Sequence, residues 1–210
     1  MSEYKLYCFA QSGNAYKAAL MLNLNNAQWT PVFVDFFNGE TRTEEYRALN
    51  PMGEVPVLVH QNTTLTQSGV ILDYLSTQLG KMGGENETER REILRWILFD
   101  NHKFTSYIAT FRFLRTFTDK ADPNVLNFLE GRVKASLKVL EQQLEGRPYV
   151  TGDRMTIADL SLCGYLYFSE QELGFATQAY PAISSWLQRI QSTPGWKHPH
   201  ELMPGHPLPE

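Results

Sequence analysis

The sequence predicts an α/β domain followed by an all-helical one, and three observations carry that prediction. Over residues 1–80, short β-rich runs alternate with helical patterns. A polar, glycine-rich stretch, GKMGGENET, then reads as a linker. Everything beyond it has apolar residues at helical spacing. The expected boundaries are 1–80 for the α/β domain, 81–88 for the linker and 89–210 for the helical domain.

In the first domain, Lys5-Leu6-Tyr7-Cys8-Phe9 is a short apolar run stopped by Gln11-Ser12-Gly13-Asn14, a strand and then a turn. Ala15, Ala18, Ala19 and Leu22 fall at helical spacing in residues of high helix propensity. The β-branched and aromatic run at 28–35 is a second strand, and Pro31 marks it as an edge or late-starting one. A short helix at 44–49 stops at Asn50-Pro51, where the residue before proline disfavours helix. The runs 55–59 and 63–65 are two strands joined by a turn around Gln61-Asn62. Val70, Ile71, Tyr74, Leu75 and Leu79 share one face of a helix beginning near Ser68.

In the helical domain, Ile93, Leu94, Ile97 and Leu98 lead one long pattern to about Phe117. Val125, Leu129, Val133, Leu137, Leu140 and Leu144 define a second helix. Thr156 and Asp159 have the spacing of a capping box, with Met155 and Leu160 placed as a hydrophobic staple. Pro181 opens a last helix with Ile183, Trp186, Leu187 and Ile190 on one face, closed by Pro194-Gly195. The proline-rich tail from His198 onward reads as irregular or frayed.

Composition narrows the function classes. Of 210 residues, 42% are hydrophobic and 20% charged, as in ordinary globular proteins. Nineteen Lys and Arg against 23 Asp and Glu leave a net charge of −4, which argues against nucleic-acid or anionic-membrane binding. Cys8 and Cys163 are too few for a disulfide framework and have no zinc-ligand spacing. The first residues lack the apolar stretch of a signal peptide, and no apolar run approaches the ~20 residues of a membrane span. A cytoplasmic protein is expected.

Three motifs then agree with one family. Asn50-Pro51-Met52-Gly53-Glu54-Val55-Pro56-Val57-Leu58, Gln67-Ser68 opening the helix QSGVILDYL, and Thr156-Ile157-Ala158-Asp159 resemble the cytosolic glutathione transferases in order and spacing. The resemblance covers essentially the whole chain. It implies a thioredoxin-like N-terminal domain, an all-α C-terminal domain, a homodimer, and glutathione as cosubstrate in detoxification. It also implies a cis peptide before Pro56, with the backbone at Val55 and Pro56 pairing with the cysteinyl part of glutathione. Gln67 and Ser68 are implied to bind the γ-glutamyl carboxylate and amine. A serine at a helix N-terminus has its own rationale there, because free amides and the positive end of the helix favour a carboxylate. Ser68 equally suits a plain N-cap.

Candidates for the group that meets the glutathione sulfur are Tyr7, Cys8 and Ser12, with Ser12 favoured. Ser12 matches the serine of theta-like classes, and Ser12-Gly13-Asn14 with Lys17 resembles the Thr-Pro-Asn pattern of the bacterial nu-like class. That second resemblance adds Asn14 to the catalytic pair. At the glycine end, the places where many relatives carry His or Lys are Thr41 and Glu54, and Glu54 is expected to repel the glycine carboxylate. Arg42 is the compensating candidate and Asn38 a weaker polar one.

On the long helix, Trp96-Ile97-Leu98-Phe99-Asp100-Asn101 resembles a WLFFEQ-like segment of bacterial relatives. There an acidic residue, Asp100 here, reaches the γ-glutamyl amine across the dimer. Phe104, Tyr107 and Phe111 share the face of Asp100 and are candidates to line the apolar substrate pocket, or else core. His198, His200 and His206 read as solvated, so no metal is expected, and Cys163 reads as a buried small hydrophobe. The function implied is conjugation of glutathione to an apolar electrophile. Glutathione-dependent reduction of disulfides or peroxides, and a non-catalytic binding or assembly module, are the alternatives.

Overall fold

The computed structural model describes residues 4–208. The chain divides into two compact units. The first comprises the chain up to Lys81 together with the stretch from Thr193 onward, and the second runs from Met82 to Ser192. The C-terminal stretch therefore departs from the expected assignment of 89–210 to one helical domain.

The first unit runs β1 (Tyr4–Cys8), α1 (Gly13–Leu24), β2 (Trp29–Phe33), a 3-10 turn (Glu40–Arg42), α2 (Glu44–Leu49), β3 (Val57–His60), β4 (Thr63–Thr66) and α3 (Ser68–Leu79). The sheet order is β2-β1-β3-β4, with β1 parallel to β2 and antiparallel to β3, and β3 antiparallel to β4. β2, which carries Pro31, is an edge strand, where a missing amide costs no second ladder. Strand β3 begins only at Val57, because Pro56 has no N–H to donate. The Val55–Pro56 peptide is cis.

Alternation along β1 places Tyr7 on the opposite face from Leu6 and Cys8. There it packs against Val34, Tyr46 of α2 and Val57. Helix α1 is buried on nearly every side because it packs on β1, on α3 and on a short helix of the C-terminal stretch, α10 (Pro199–Leu202). That stretch is fastened by three carbonyls, and the one from Pro204 holds the tail that reads as irregular or frayed. Ala10 N donates to Pro204 O (2.7 Å), Tyr16 Oη to Lys197 O (2.8 Å) and Asn23 Nδ2 to Gly195 O (2.5 Å).

The second unit contains α4 (Glu87–Phe99), a π-helical turn (Asp100–Phe104), α5 (Thr105–Phe117), α6 (Pro123–Leu144), α7 (Ile157–Cys163), α8 (Glu170–Leu173) and α9 (Pro181–Gln191). The single helix expected from 93 to 117 is thus interrupted by a π turn, which shifts the face presented by every later residue. Residues of the expected linker are bonded into this unit: Met82 O accepts from Ile157 N (2.9 Å) and Gly83 O from Arg154 Nη2 (2.8 Å).

The capping box read at Thr156 and Asp159 opens α7. Asp159 is fully buried and its carboxylate accepts from Thr156 N (2.8 Å), Thr156 Oγ1 (3.1 Å), Val150 N (2.9 Å) and Trp186 Nε1 (2.9 Å). It therefore ties α7 to α9 and to the chain before it. Burial pushes its carboxyl above the ordinary carboxylate value, and the donors pull it back down. Asp159→Ala removes the acceptor of all four buried donors, each costing about 1–3 kcal/mol where it is left unpaired. The expected loss is about 3–5 kcal/mol, read as a lower urea midpoint at unchanged slope.

Candidate functional site

The sheet register brings the sequence-predicted residues of the first unit to one end of the sheet. Tyr7 pairs with Val57, and Val57 with Thr66, so the end of β1, the start of β3 and the end of β4 lie side by side. The β1–α1 turn with Ser12, the cis Val55–Pro56 peptide and the α3 start at Gln67-Ser68 extend from those three points.

Ser12 is the N-cap of α1, and its Oγ accepts from Ala15 N at 3.1 Å. A hydroxyl offers one proton and two lone pairs. The cap occupies a lone pair and leaves the proton free to be donated. Two residues on, Asn14 Oδ1 accepts from Ser68 Oγ at 3.4 Å, linking the starts of α1 and α3. Asn14 Nδ2 remains a donor.

Ser68 does not cap its helix. The N-cap is Gln67, whose backbone lies in the left-handed region (φ 66°) and whose side chain makes no cap hydrogen bond. The first amides of α3 thus keep their donors, as an anion site needs. A non-glycine residue at positive φ costs of order 1–3 kcal/mol and is concentrated at functional sites. Nothing in the residue type at 67 reveals that conformation. Gln67 Nε2 instead donates to Glu54 Oε2 (3.0 Å) and to Met52 Sδ (2.9 Å). The main chain of Glu54 is fixed from below, its carbonyl accepting from Tyr46 Oη (2.9 Å) and Asn50 Nδ2 (2.8 Å).

The other candidates of this unit fare differently. Cys8 is fully buried and burial pushes its thiol up to about 12, so it is no nucleophile. Tyr7 belongs to the cluster under α2. Asn38 Nδ2 is held by Asp35 at 3.1 and 2.9 Å, and Thr41 is buried. Arg42 is exposed at the end of the 3-10 turn. Sequence reasoning passed over an aromatic group where β1 ends: Phe9 stacks on Phe36 (4.9 Å between centroids), and Phe37 stands edge-on to both. The adjacent pair Phe36-Phe37 just after β2 was its visible signal.

Two family signatures match the chain: the glutathione S-transferase N-terminal domain over residues 2–77 and its C-terminal domain over residues 104–194. The chain belongs to the glutathione S-transferase family, and is one of its enzymes. Glutathione S-transferase 2 of Schizosaccharomyces pombe is 28% identical, covering 94% of each chain. A crystal structure of a glutathione S-transferase from Pseudomonas fluorescens is 34% identical, with a TM-score of 0.86 over 93% of this chain and 98% of that one. A glutathione transferase from Burkholderia graminis, solved with two glutathione molecules per subunit, shares the fold at 24% identity. Its TM-score is 0.83, over 92% of this chain and 85% of that one.

Within the second unit of this transferase, three predicted roles are corrected. Asp100 is fully buried, and its oxygens accept from Thr105 Oγ1 (2.5 Å) and Ser161 Oγ (2.5 Å). A carboxylate so enclosed cannot reach an amine on another subunit. The π turn is the reason: its i to i+5 spacing brings Thr105 over Asp100. Phe104 and Phe111 are core, at 1% and 4% exposure. Phe104 lies beside the Phe99 ring, and Phe111 lies against Gly174, where a Cβ would come within 2.8 Å of its ring. Only Tyr107 of that trio is partly exposed.

The histidines of the C-terminal stretch are not freely solvated. His200 and His206 stack at 3.8 Å, and Gln11, next to Ser12, lies 3.4 Å from a ring nitrogen of each. Among the described residues no group of three or more His, Cys, Asp or Glu is placed to hold a metal, and no helix is long and apolar enough to cross a membrane.

Because Cys8 and Cys163 are both buried, neither thiol is expected to react in the folded protein. Burial holds the Cys8 thiol well above its ordinary value, which keeps it protonated at mildly alkaline pH. A disulfide reagent such as dithionitrobenzoate should release no chromophore from the native chain, and two equivalents after denaturation.

Proposed function

We propose that this transferase binds glutathione at the sheet end formed by Ser12, Val55, Pro56, Gln67 and Ser68, and conjugates its sulfur to an apolar electrophile. The observation that carries the reading is the Ser12 hydroxyl, whose cap bond to Ala15 N leaves its proton available beside the open start of α3. The γ-glutamyl carboxylate sits on the uncapped α3 amides, and the cysteinyl backbone pairs along Val55. Arg42, exposed on the turn after β2, offers its charge to the glycine carboxylate.

The energetics suffice without a general base. Lowering a thiol from about 8.5 to about 6.5 requires about 2.7 kcal/mol in favour of thiolate. A hydrogen bond to an ionised group contributes about 1.5–3 kcal/mol, and the start of α1 about 0.3–1. Ser12 donates its proton without losing it, and Asn14 Nδ2 can add a second donor. The thiolate lone pair then forms the bond to the electrophilic carbon. The leaving group departs with its electron pair, or an activated alkene takes a proton from water. The Phe9, Phe36 and Phe37 rings supply apolar surface at the same end of the sheet. The same reading makes the protein a cytoplasmic homodimer with a detoxifying role.

The test is Ser12→Ala beside Ser12→Thr. The alanine variant should raise the apparent pKa of bound glutathione by about 1–2 units, followed by thiolate absorption in ultraviolet difference spectra. Its kcat/KM at neutral pH, with a nitro-activated aryl chloride, should fall about ten- to a hundredfold. Loss of the cap should cost about 1 kcal/mol of stability. Threonine should retain both properties. An alanine variant with wild-type thiolate absorption and turnover would remove Ser12 from the mechanism.

A further inference from the structure

In the proposed site the γ-glutamyl ammonium has no carboxylate partner. The γ-glutamyl group is a zwitterion, an α-carboxylate and an α-ammonium on one carbon. The open α3 start supplies donors for the carboxylate, but Asp100, the acid expected for the ammonium, is enclosed by Thr105 and Ser161. We propose that Glu54 takes that place: its carboxylate, held against Gln67 at the start of α3, binds the α-ammonium and selects ligands with a free amino group. This rests on the proposed glutathione site.

The geometry behind it is local and specific. Gln67 Nε2 directs its protons to Glu54 Oε2 and Met52 Sδ. That arrangement leaves Glu54 Oε1 and Gln67 Oε1 as acceptors beside amides that only donate. Acceptors next to donors match an ammonium next to a carboxylate. The carbonyl of Glu54 is pinned by Tyr46 and Asn50, so the residue is carried on a fixed main chain. Its side chain is exposed, as a ligand contact must be in the free protein. The expectation that Glu54 repels the glycine carboxylate assumed that its side chain turns toward that end. Its bond to Gln67 turns it toward the other.

Calorimetric titrations of the wild type and Glu54→Gln with three ligands test the proposal. These are glutathione, its deamino analogue with glutaryl in place of γ-glutamyl, and γ-glutamylcysteine without glycine. Wild type should bind the deamino analogue about five- to tenfold more weakly than glutathione, the scale of one exposed charge-assisted hydrogen bond. Glu54→Gln should bind glutathione that much more weakly and no longer distinguish the two. Removing glycine should shift both proteins equally. Unchanged discrimination in Glu54→Gln would overturn the assignment. So would tighter glutathione binding whose gain disappears with γ-glutamylcysteine, the signature of repulsion at the glycine end. A wild type that binds none of the three would overturn the glutathione site itself, and the Glu54 assignment with it.

Discussion

Every α-helix begins with amides that have no acceptor within the helix, and two such starts meet at one end of this sheet. They are treated in opposite ways. At α1 the Ser12 hydroxyl accepts from Ala15 N, which satisfies the helix and still leaves a proton to donate. At α3 the side chain of the N-cap Gln67 offers nothing to the amides, and Ser68 turns its hydroxyl to Asn14. The first start is completed and retains one directional donor. The second is an open set of donors that only an anion or water can fill. The sheet order β2-β1-β3-β4 makes this meeting possible, because it sets the end of β1 beside the start of β3 and the end of β4.

Three carboxylates show how burial decides role. Asp159 and Asp100 are both fully buried, and both have their oxygens occupied by protein donors, so they organise the second unit. A buried carboxylate without such donors would be too costly to keep. Glu54 is exposed and receives a single amide from Gln67, so it keeps the capacity for a ligand. Hydrogen-bond saturation thus separates the two buried carboxylates from the exposed one.

Much of the fold was legible because short-range chemistry specifies it. Pro31 placed β2 at an edge, Asn50-Pro51 stopped α2, and the Thr156–Asp159 spacing started α7. What escaped the sequence depended on one added residue or on long-range contacts. A 3.6-residue periodicity cannot show that the chain winds by one extra residue at Asp100–Phe104, so it left Phe104 and Phe111 open between pocket lining and core, and they are core. The positive φ of Gln67 has no compositional sign, since glycine is absent there. Of the proposed site, Ser12, Val55, Pro56, Gln67 and Ser68 are named by motifs, whereas the direction of Glu54 depends on a partner thirteen residues away.

The C-terminal stretch shows why composition misjudges order. Five prolines and three histidines suggest a solvated tail, yet proline removes only donors and leaves every carbonyl as an acceptor. The structure uses that asymmetry. Pro204, Lys197 and Gly195 all contribute carbonyls, and the donors come from the β1–α1 region: the Ala10 amide, the Tyr16 hydroxyl and the Asn23 amide group. Leu202 and Met203 are buried along the way. Gln11, the neighbour of Ser12, closes the arrangement between His200 and His206. The turn that presents Ser12 is therefore held from both ends of the chain. The role proposed for the Ser12 hydroxyl, aiming one proton, depends on that restraint, because a donor that wanders loses its advantage over water.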